Sequence, residues 1–357
     1  MSVTSEYRET TLMINKIIQG NVLDLVKTLP PKSVNLCVTS PPYWGLRDYG
    51  VAGQLGQERT PEEYIANLVE VFRGVKEAMT DDGNLYINIG DSYNGSGTKA
   101  VQFNSPKQMT NRGATSQRGI KVSELKPKDL VGIPWMLAFA LRADGWYLRE
   151  EIIWAKKNCM PESVTDRCTK SHEHIFHLTK SAKYFYDQEA IKEPAIYDVD
   201  GTGTQARKAR QNMEGKSAPT SERNGMRQFK DASQMNGKHK EEKQRGHSRR
   251  HAGFNDRWYQ MTHEEQCTGM RNKRDVWTIA PAQFPEAHFA TFPEEIPATC
   301  IKAGCPKEGT VLDVFMGSGT TAMVARKLGR NFIGFELNPE YIKIAERRLY
   351  KELGMFQ

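Results

Sequence analysis

VLDVFMGSGTT at residues 311–321 decides the fold, because an apolar run there ends in a Gly-Ser-Gly turn that leads into a helical pattern. Glycines in such a turn let a ligand approach the backbone closely, and the start of the helix presents free N–H groups. The next apolar run, NFIGFE, ends in Glu336, and an acid there can accept hydrogen bonds from both hydroxyls of a ribose. The unit therefore predicts a site for an adenosine-containing cofactor. The third Gly of GxGxxG is missing, which disfavours NAD, and Asp313 before the turn is suited to bind an amino group.

Strands and helices alternate along the rest of the chain. Apolar runs predict the strands, and apolar positions at helical spacing predict the helices. The predicted strands are residues 11–18, 33–39, 83–90, 147–155, 174–179, 310–315 and 331–336, and the predicted helices are residues 61–79, 129–143, 320–328 and 339–353. This order indicates an α/β domain built on a largely parallel sheet.

The positive charge of the chain is concentrated in one window. The 357 residues include 50 Lys or Arg and 43 Asp or Glu, a net charge of +7, yet residues 201–250 alone hold 13 basic and 5 acidic residues. That window has no Val, Ile, Leu, Trp or Tyr, so we expect it to be mobile when free. Residues 92–122 are similar, with five basic residues and no acid. Solvated surface insertions would explain both segments. Both carry net positive charge, however, which favours a polyanion as the partner.

Several protein classes are disfavoured by composition. No apolar run reaches the roughly 18 residues that a membrane span needs, and the N-terminal sequence lacks a secretory pattern. The six cysteines form no CxxC pair, which disfavours a zinc ribbon or a disulfide scaffold. We therefore expect a cytoplasmic protein without a membrane segment.

A second turn of unusual composition lies near the N-terminus. LCVTSPPY at residues 36–43 takes a strand directly into two prolines, which stiffen the turn and remove two N–H groups. Ser40 and the carbonyl of Pro41 can then accept hydrogen bonds from an exocyclic NH2 group, and Tyr43 offers a face on which a base can stack. A rigid strand-ending turn without chemistry is the alternative for this tetrapeptide taken alone.

Taken together, TSPPYW at 39–44 and DVFMGSGTT at 313–321 resemble the amino-directed DNA methyltransferases, which use S-adenosyl-L-methionine. The catalytic motif of that family is (D/N/S)PPY and its cofactor motif is DxFxGSGTT. Further resemblance lies in residues 21–43, 152–187, 277–297 and 334–341. The catalytic motif precedes the cofactor motif, with a variable region between them, as in the β group, a circular permutation of the common fold.

The resemblance implies an α/β, Rossmann-like methyltransferase fold with a mostly parallel seven-stranded sheet, circularly permuted and carrying an inserted target-recognition region. The domain boundaries expected from it are 11–190 for the catalytic half, 191–273 for the basic target-recognition insertion and 274–357 for the cofactor-binding half. The insertion contains the basic window that composition alone singles out.

The resemblance also implies roles for individual residues. The expected catalytic residues are Ser40, Pro41, Pro42 and Tyr43. The expected cofactor-binding residues are Asp24 (on the adenine), Thr39, Thr291, Phe292, Asp313, Phe315, Gly317, Ser318, Gly319, Thr320, Glu336 (on the ribose) and Asn338. The expected DNA contacts are Arg207, Lys208, Arg210, Arg245, Arg249 and Arg250.

The implied reaction is methylation of an exocyclic amine in duplex DNA, with the target base flipped out of the helix. Ser40 favours N4 of cytosine, because adenine enzymes of this family usually carry Asp or Asn at that position and a hydroxyl can both accept and donate. Adenine N6 is the alternative. Methylation of cytosine C5 is disfavoured because the sequence has no Pro-Cys motif for a nucleophile.

Three further hypotheses concern other functions and partners. A methyltransferase for RNA or a protein amide, and a catalytically silent DNA-binding protein, remain rivals from the sequence alone. His172, His174 and His177 could ligate a metal, but no fourth ligand is evident and we expect none. The expected partners are double-stranded DNA, a second copy of the chain and a cognate restriction endonuclease.

Overall fold

The computed structural model describes residues 13–46, 48–95, 125–159, 161–194, 270–282 and 292–354. The chain divides into two compact units, one formed by Met1–Ile191 with Arg274–Gln357 and the other by Lys192–Lys273. Within these described ranges, no helix combines the length and hydropathy that crossing a membrane requires.

Ten strands are found in the described residues. They are β1 (Lys16–Gln19), β2 (Val34–Thr39), β3 (Met79–Ile89), β4 (Tyr147–Lys156), β5 (His172–Thr179), β6 (Glu193–Pro194), β7 (Met270–Arg271), β8 (Val276–Ile279), β9 (Thr310–Asp313) and β10 (Asn331–Glu336). Eight of them form one sheet in the order β1-β10-β9-β2-β3-β5-β4-β8. Only β5 runs antiparallel to its neighbours in this sheet, so the sheet is mostly parallel, as the sequence predicts.

Helices flank this sheet and begin at sequence signals that can be read directly. They are α1 (Val22–Leu25), α2 (Pro61–Ala78), α3 (Ile133–Ala143), α4 (Glu295–Gly304), α5 (Thr320–Lys327) and α6 (Pro339–Leu353), with short 3₁₀ turns at Val26–Thr28 and Glu189–Ile191. The side chain of Thr60 caps α2 and that of Asn338 caps α6, and each cap is followed by a proline at the first helical position.

The core lies on both faces of the large sheet. Leu68 and Phe72 of α2 belong to one buried cluster, and Cys300 of α4 and Met323 of α5 belong to the other. Successive residues of a strand point to opposite faces, and accordingly Cys37 of β2 joins the first cluster while its neighbours join the second. Helices on both faces of a mostly parallel sheet confirm the α/β class.

The large sheet has one strand more than the seven predicted. The additional strand is β8, four residues at the sheet edge whose side chains alternate between exposed and buried. So short a pattern next to the basic window gives little periodicity to recognise. Strand β3 also begins earlier than predicted, because its polar residues 80–83 continue the extended backbone directly from the end of α2.

The described part of the second unit is small. Strands β6 and β7 pair antiparallel, with Glu193 opposite Arg271. Arg271 Nε donates to Glu193 Oε1 at 2.9 Å. The basic window 201–250 lies outside the described residues.

Candidate active site

The two turns singled out in the sequence lie side by side at one edge of the sheet. Strands β2 and β9 are parallel neighbours, with Leu36 opposite Val311 and Cys37 opposite Leu312. Parallel strands end at the same edge, so the Ser-Pro-Pro-Tyr turn after β2 meets the Gly-Ser-Gly turn after β9. This is the edge at which open α/β sheets bind ligands.

A cavity of about 270 Å³ lies between the two turns. All four predicted catalytic residues line it, namely Ser40, Pro41, Pro42 and Tyr43. Seven of the predicted cofactor residues line it as well, namely Phe292, Phe315, Gly317, Ser318, Thr320, Glu336 and Asn338. One cavity therefore brings together the residues expected to hold the methyl donor and those expected to hold the acceptor.

Glu336 sits at the carboxyl end of β10 with both carboxylate oxygens engaged by backbone amides. Gly317 N donates to Oε2 and Asn338 N donates to Oε1, each at 2.8 Å. Burial raises the pKa of Glu336 above its ordinary value, and the two amide donors oppose that rise. A carboxylate has about four lone-pair sites, so acceptor capacity is left for the two hydroxyls of a ribose.

The remaining walls of this end fit S-adenosyl-L-methionine. Phe315 and Tyr341 supply aromatic surface beside Glu336, and Gly317 allows close approach of a ligand to the backbone. The donor set thus offers an acid for a ribose and apolar faces for an adenine. Within the described chain, Lys156 is the one basic residue that lines the cavity, and it is paired with Glu173.

Helix α6 holds the Gly-Ser-Gly turn from behind. Gly319 has φ +81°, and a Cβ added to it would lie 2.8 Å from that of Ala345, so both conformation and space require glycine. Arg348 Nη1 donates to Ser318 O at 2.7 Å, to Ser318 Oγ at 2.8 Å and to Thr320 Oγ1 at 3.1 Å. Gly319 itself does not line the cavity, so its role is to let the helix approach the turn.

Asp313 and Thr39, two of the expected cofactor residues, are hydrogen-bonded to each other in the structure. Asp313 is 1% exposed and does not line the cavity. Its Oδ1 accepts from Thr39 Oγ1 at 2.6 Å and from Phe315 N at 3.0 Å, while Oδ2 accepts from Thr321 Oγ1 at 2.6 Å. Burial raises the pKa of Asp313, and these hydrogen bonds oppose the rise. In the structure this carboxylate joins β2, β9 and α5, and its contact with an amino group stays a prediction.

The remaining predictions for the cofactor and the DNA have different outcomes. Asp24 is exposed on α1, whereas its neighbours Gly20 and Val22 line the cavity, and its contact with the adenine stays a prediction. Thr291 and the predicted DNA contacts Arg207, Lys208, Arg210, Arg245, Arg249 and Arg250 lie outside the described residues.

The Ser-Pro-Pro-Tyr turn is held so that one carbonyl stays available. Tyr64 OH on α2 donates to the Pro42 carbonyl at 2.8 Å. Within the described parts of the chain, the Pro41 carbonyl has no hydrogen-bond partner, as expected for a turn with two prolines. Ser40 Oγ lies 3.5 Å from Asn88 Nδ2. The two acceptors predicted for an exocyclic amine therefore line the cavity together.

The cavity wall also includes residues that were not among the predicted site residues, and four of these are Asn88, Trp154, Lys156 and Glu173. They lie on β3, β4 and β5, and three of them form a network with Tyr43. The period-2 pattern of HEHIFH could have separated Glu173 from His172 and His174, but the partners of Glu173 depend on strand register, which the sequence does not state.

The histidines near this network have partners within the protein. His174 Nδ1 lies 2.6 Å from Glu151 Oε1, and His177 Nε2 lies 2.9 Å from Asn84 Oδ1. Burial lowers the pKa of His177 to about 3, so this ring is neutral at physiological pH. No group of three potential metal ligands occurs within the described ranges.

Comparison with known proteins identifies the family. A DNA methylase family profile matches residues 34–347. The Type II methyltransferase M.SmaI of Serratia marcescens is 40% identical over 349 residues, covering 98% of this chain and 95% of that protein. The Type II methyltransferase M.Cfr9I of Citrobacter freundii is 39% identical over 354 residues, covering 99% and 94%.

Two solved structures share the fold. PvuII DNA methyltransferase, described as cytosine-N4-specific, has a TM-score of 0.55 at 16% identity and covers 93% of this chain and 85% of its own. TTHA0409 of Thermus thermophilus, solved with S-adenosyl-L-methionine, has a TM-score of 0.52 at 20% identity, covering 96% and 95%. With the family match spanning most of the chain, the protein belongs to the DNA methylases of the N6/N4 family, which use S-adenosyl-L-methionine.

Proposed function

We propose that this DNA methylase modifies the exocyclic N4 of cytosine in duplex DNA, with the target base rotated out of the helix. The observation that carries the proposal is that Ser40 and Pro41, whose carbonyl has no hydrogen-bond partner among the described residues, line the same cavity as Glu336 and the Gly-Ser-Gly turn. Amine acceptors and cofactor residues that share one cavity are what direct transfer between two bound molecules requires.

The chemistry asked of the protein is mainly positioning. The lone pair of an exocyclic amine is delocalised into the ring, which makes the nitrogen a weak nucleophile. Hydrogen bonds from its NH2 group to Ser40 and to the Pro41 carbonyl favour a tetrahedral nitrogen whose lone pair is freer. S-adenosyl-L-methionine supplies the activated methyl group. The cavity aligns the two, and its fixed dipoles interact with the charge that develops on the nitrogen.

The choice of cytosine rests on the hydroxyl of Ser40. A hydroxyl can accept a hydrogen bond from the amino group and donate one to the adjacent ring nitrogen of cytosine, whereas an ionised Asp only accepts. Adenine presents an amino group beside a ring nitrogen in the same way, so N6 of adenine is the second candidate.

Duplex DNA as the substrate is supported by charge and by the chemistry of the target. The target amine is inaccessible inside a base-paired stack, so the base has to leave the helix to enter the cavity. The 13 basic residues at 201–250 supply the positive charge that binding to phosphates needs. We assign residues 191–273 to target recognition and the flanking segments 11–190 and 274–357 to the catalytic domain.

The relatives suggest a biological setting. M.SmaI and M.Cfr9I are named Type II methyltransferases, and the protein matches nearly all of each. We therefore assign it to a restriction-modification system with a cognate endonuclease, and we propose that it forms a homodimer.

The experiment that tests the activity uses purified protein, radiolabelled S-adenosyl-L-methionine and three acceptors: unmethylated plasmid, single-stranded DNA and RNA of equal length. Label should enter the duplex and not the RNA. Ser40→Ala is the matched variant, because it removes one acceptor and leaves both prolines. Label in RNA alone would contradict the proposed substrate.

A further inference from the structure

Two carboxylates line the cavity within the described residues, and they serve different ends of it. Glu336 contacts the Gly-Ser-Gly turn, whereas Glu173 contacts the Ser-Pro-Pro-Tyr turn. Glu173 lies on β5, and its side chain is 12% exposed. A carboxylate this buried needs donors around it, and those donors indicate what it does.

The donors to Glu173 come from three separate elements. Oε2 accepts from Tyr43 OH at 2.5 Å and from Asn88 Nδ2 at 3.0 Å, and Oε1 accepts from Lys156 Nζ at 2.5 Å. Asn88 is on β3, Lys156 is on β4 and Tyr43 is in the turn after β2. The carboxylate therefore ties the catalytic turn to two strands whose register is fixed by the sheet.

Tyr43 is confined at its ring as well as at its hydroxyl. A Cβ added to Gly90 would lie 2.6 Å from Tyr43 Cε2, so the ring packs directly against the Gly90 backbone. Its hydroxyl donates to Glu173 and accepts from Asn88 Nδ2 at 3.1 Å. Burial, and then the charge of Glu173, raise the pKa of Tyr43 well above its ordinary value, so the phenol stays protonated and able to donate.

We propose that Glu173 is a positioning residue that fixes the ring of Tyr43, through its hydroxyl, in the orientation on which the flipped base stacks. The inference rests on the proposed function, since it assigns Tyr43 to the target base. Because the ring of Tyr43 is already oriented before the base arrives, no entropy is lost in ordering it during the transfer step. The ion pair with Lys156 holds the carboxylate in place from the other side.

The test compares Glu173→Ala, Glu173→Gln and Tyr43→Phe in the full-length protein by single-turnover methyl transfer to plasmid DNA. Glu151→Gln is the matched control, because Glu151 is on β4, pairs with His174 and does not line the cavity. We expect Glu173→Ala to slow transfer about tenfold or more, ~1.4 kcal/mol in the barrier. Glutamine keeps an oxygen that accepts from Tyr43 but loses the ion pair with Lys156, so the rate of Glu173→Gln should lie between those of wild type and Glu173→Ala.

Two further readouts separate positioning from general damage. The affinity for S-adenosyl-L-methionine, measured by calorimetry, should change by less than about twofold in each variant, since that end of the cavity is untouched. The double variant Glu173→Ala with Tyr43→Phe should be no slower than the slower single variant, because each substitution removes the same hydrogen bond between Tyr43 and Glu173. If Glu173→Ala does not fold, the transfer rates of Tyr43→Phe and Glu173→Gln are compared with that of the wild type instead.

Three results would overturn the role of Glu173 while leaving the wild-type activity intact: unchanged transfer in Glu173→Ala, additive losses in the double variant, or a Glu173→Gln rate as low as that of Glu173→Ala. A wild-type protein that transfers no methyl group to DNA would instead contradict the proposed function. The two failures are therefore distinguishable in one set of assays.

Discussion

The hydroxyl of Thr39 donates to Asp313 Oδ1 at 2.6 Å, joining two residues that are 274 positions apart in the chain. Thr39 is the last residue of β2, and Asp313 is the last residue of β9. The bond therefore connects the strand that delivers the catalytic turn to the strand that delivers the cofactor turn. It adds to the backbone pairing of the two strands, which already places the two turns side by side.

Asp313→Ala should lower the free energy of unfolding by about 3 kcal/mol, because it leaves two threonine hydroxyls and the Phe315 amide without their buried partner. Urea titration measures the loss. Asp313→Asn is the matched variant, since an amide oxygen still accepts from two of these donors, and it should lose less than half as much. Equal losses in both variants would contradict the structural role of this carboxylate.

The same carboxylate gives a pH prediction. Burial raises the pKa of Asp313 above its ordinary value of 3.8, so folding favours the protonated form. Its contribution to stability is therefore greatest below pH 3.8 and decreases as the pH rises through the folded-state pKa. The difference in unfolding free energy between wild type and Asp313→Asn, followed across that window, should shift against the wild type as the pH rises. A shift of the opposite sign would contradict the burial argument.

Glu336→Ala should weaken binding of S-adenosyl-L-methionine by about 1.5–3 kcal/mol, the range for a hydrogen-bonded charge. Calorimetry measures it. The pKa of Glu336 lies above its ordinary value of 4.5, so wild-type affinity should fall as the pH is lowered through that pKa. Glu336→Gln should show a flatter pH profile. Unchanged affinity in the alanine variant would remove the ribose assignment.

Arg348→Met should raise the KM for S-adenosyl-L-methionine about tenfold, because it releases the turn at Ser318 and Thr320. Arg347→Met is the control, as that neighbour is exposed and contacts only the backbone of its own helix among the bonds observed. The KM for DNA should be unaffected in both. An equal effect of the two substitutions would point to helix stability instead of support of the turn.

The basic window should carry DNA affinity. Arg249→Ser with Arg250→Ser should reduce the slope of log affinity against log salt by about 0.9 for each phosphate that is no longer neutralised. Lys302→Ser with Lys307→Ser, which removes two exposed charges on and just after α4, serves as the charge-matched control and should leave the slope unchanged. Retention of the full slope in the double variant would place the phosphate-binding residues elsewhere.

The parts that sequence predicts well are those that depend on local pattern. Glu336 ends one apolar strand and Ser40 directly follows another, and the carboxyl ends of parallel strands meet at one edge, so their common cavity was predictable. Whether a side chain is buried, by contrast, does not follow from the local sequence pattern. Asp313 belongs to the cofactor motif, but a sequence does not show that it is buried and that Thr39 and Thr321 donate to its two oxygens.

The other site residues could not be predicted because their positions depend on strand register. Glu173, Asn88 and Lys156 meet only because β5 pairs antiparallel with both β3 and β4 in one particular alignment. A shift of one residue would turn Glu173 away from Tyr43, and no motif states the alignment. The short edge strand β8 escaped prediction for a related reason, as four alternating residues are too few to define a period.

The most direct test of the central claim is mass spectrometry of the nucleosides released from plasmid DNA that the wild-type protein has methylated. Plasmid treated with the Ser40→Ala variant is the control, and its yield of methylated nucleoside should be reduced. The proposed chemistry at Ser40 and Pro41 predicts N4-methylcytosine in the wild-type digest. N6-methyladenine without N4-methylcytosine would contradict the assignment of cytosine as the target.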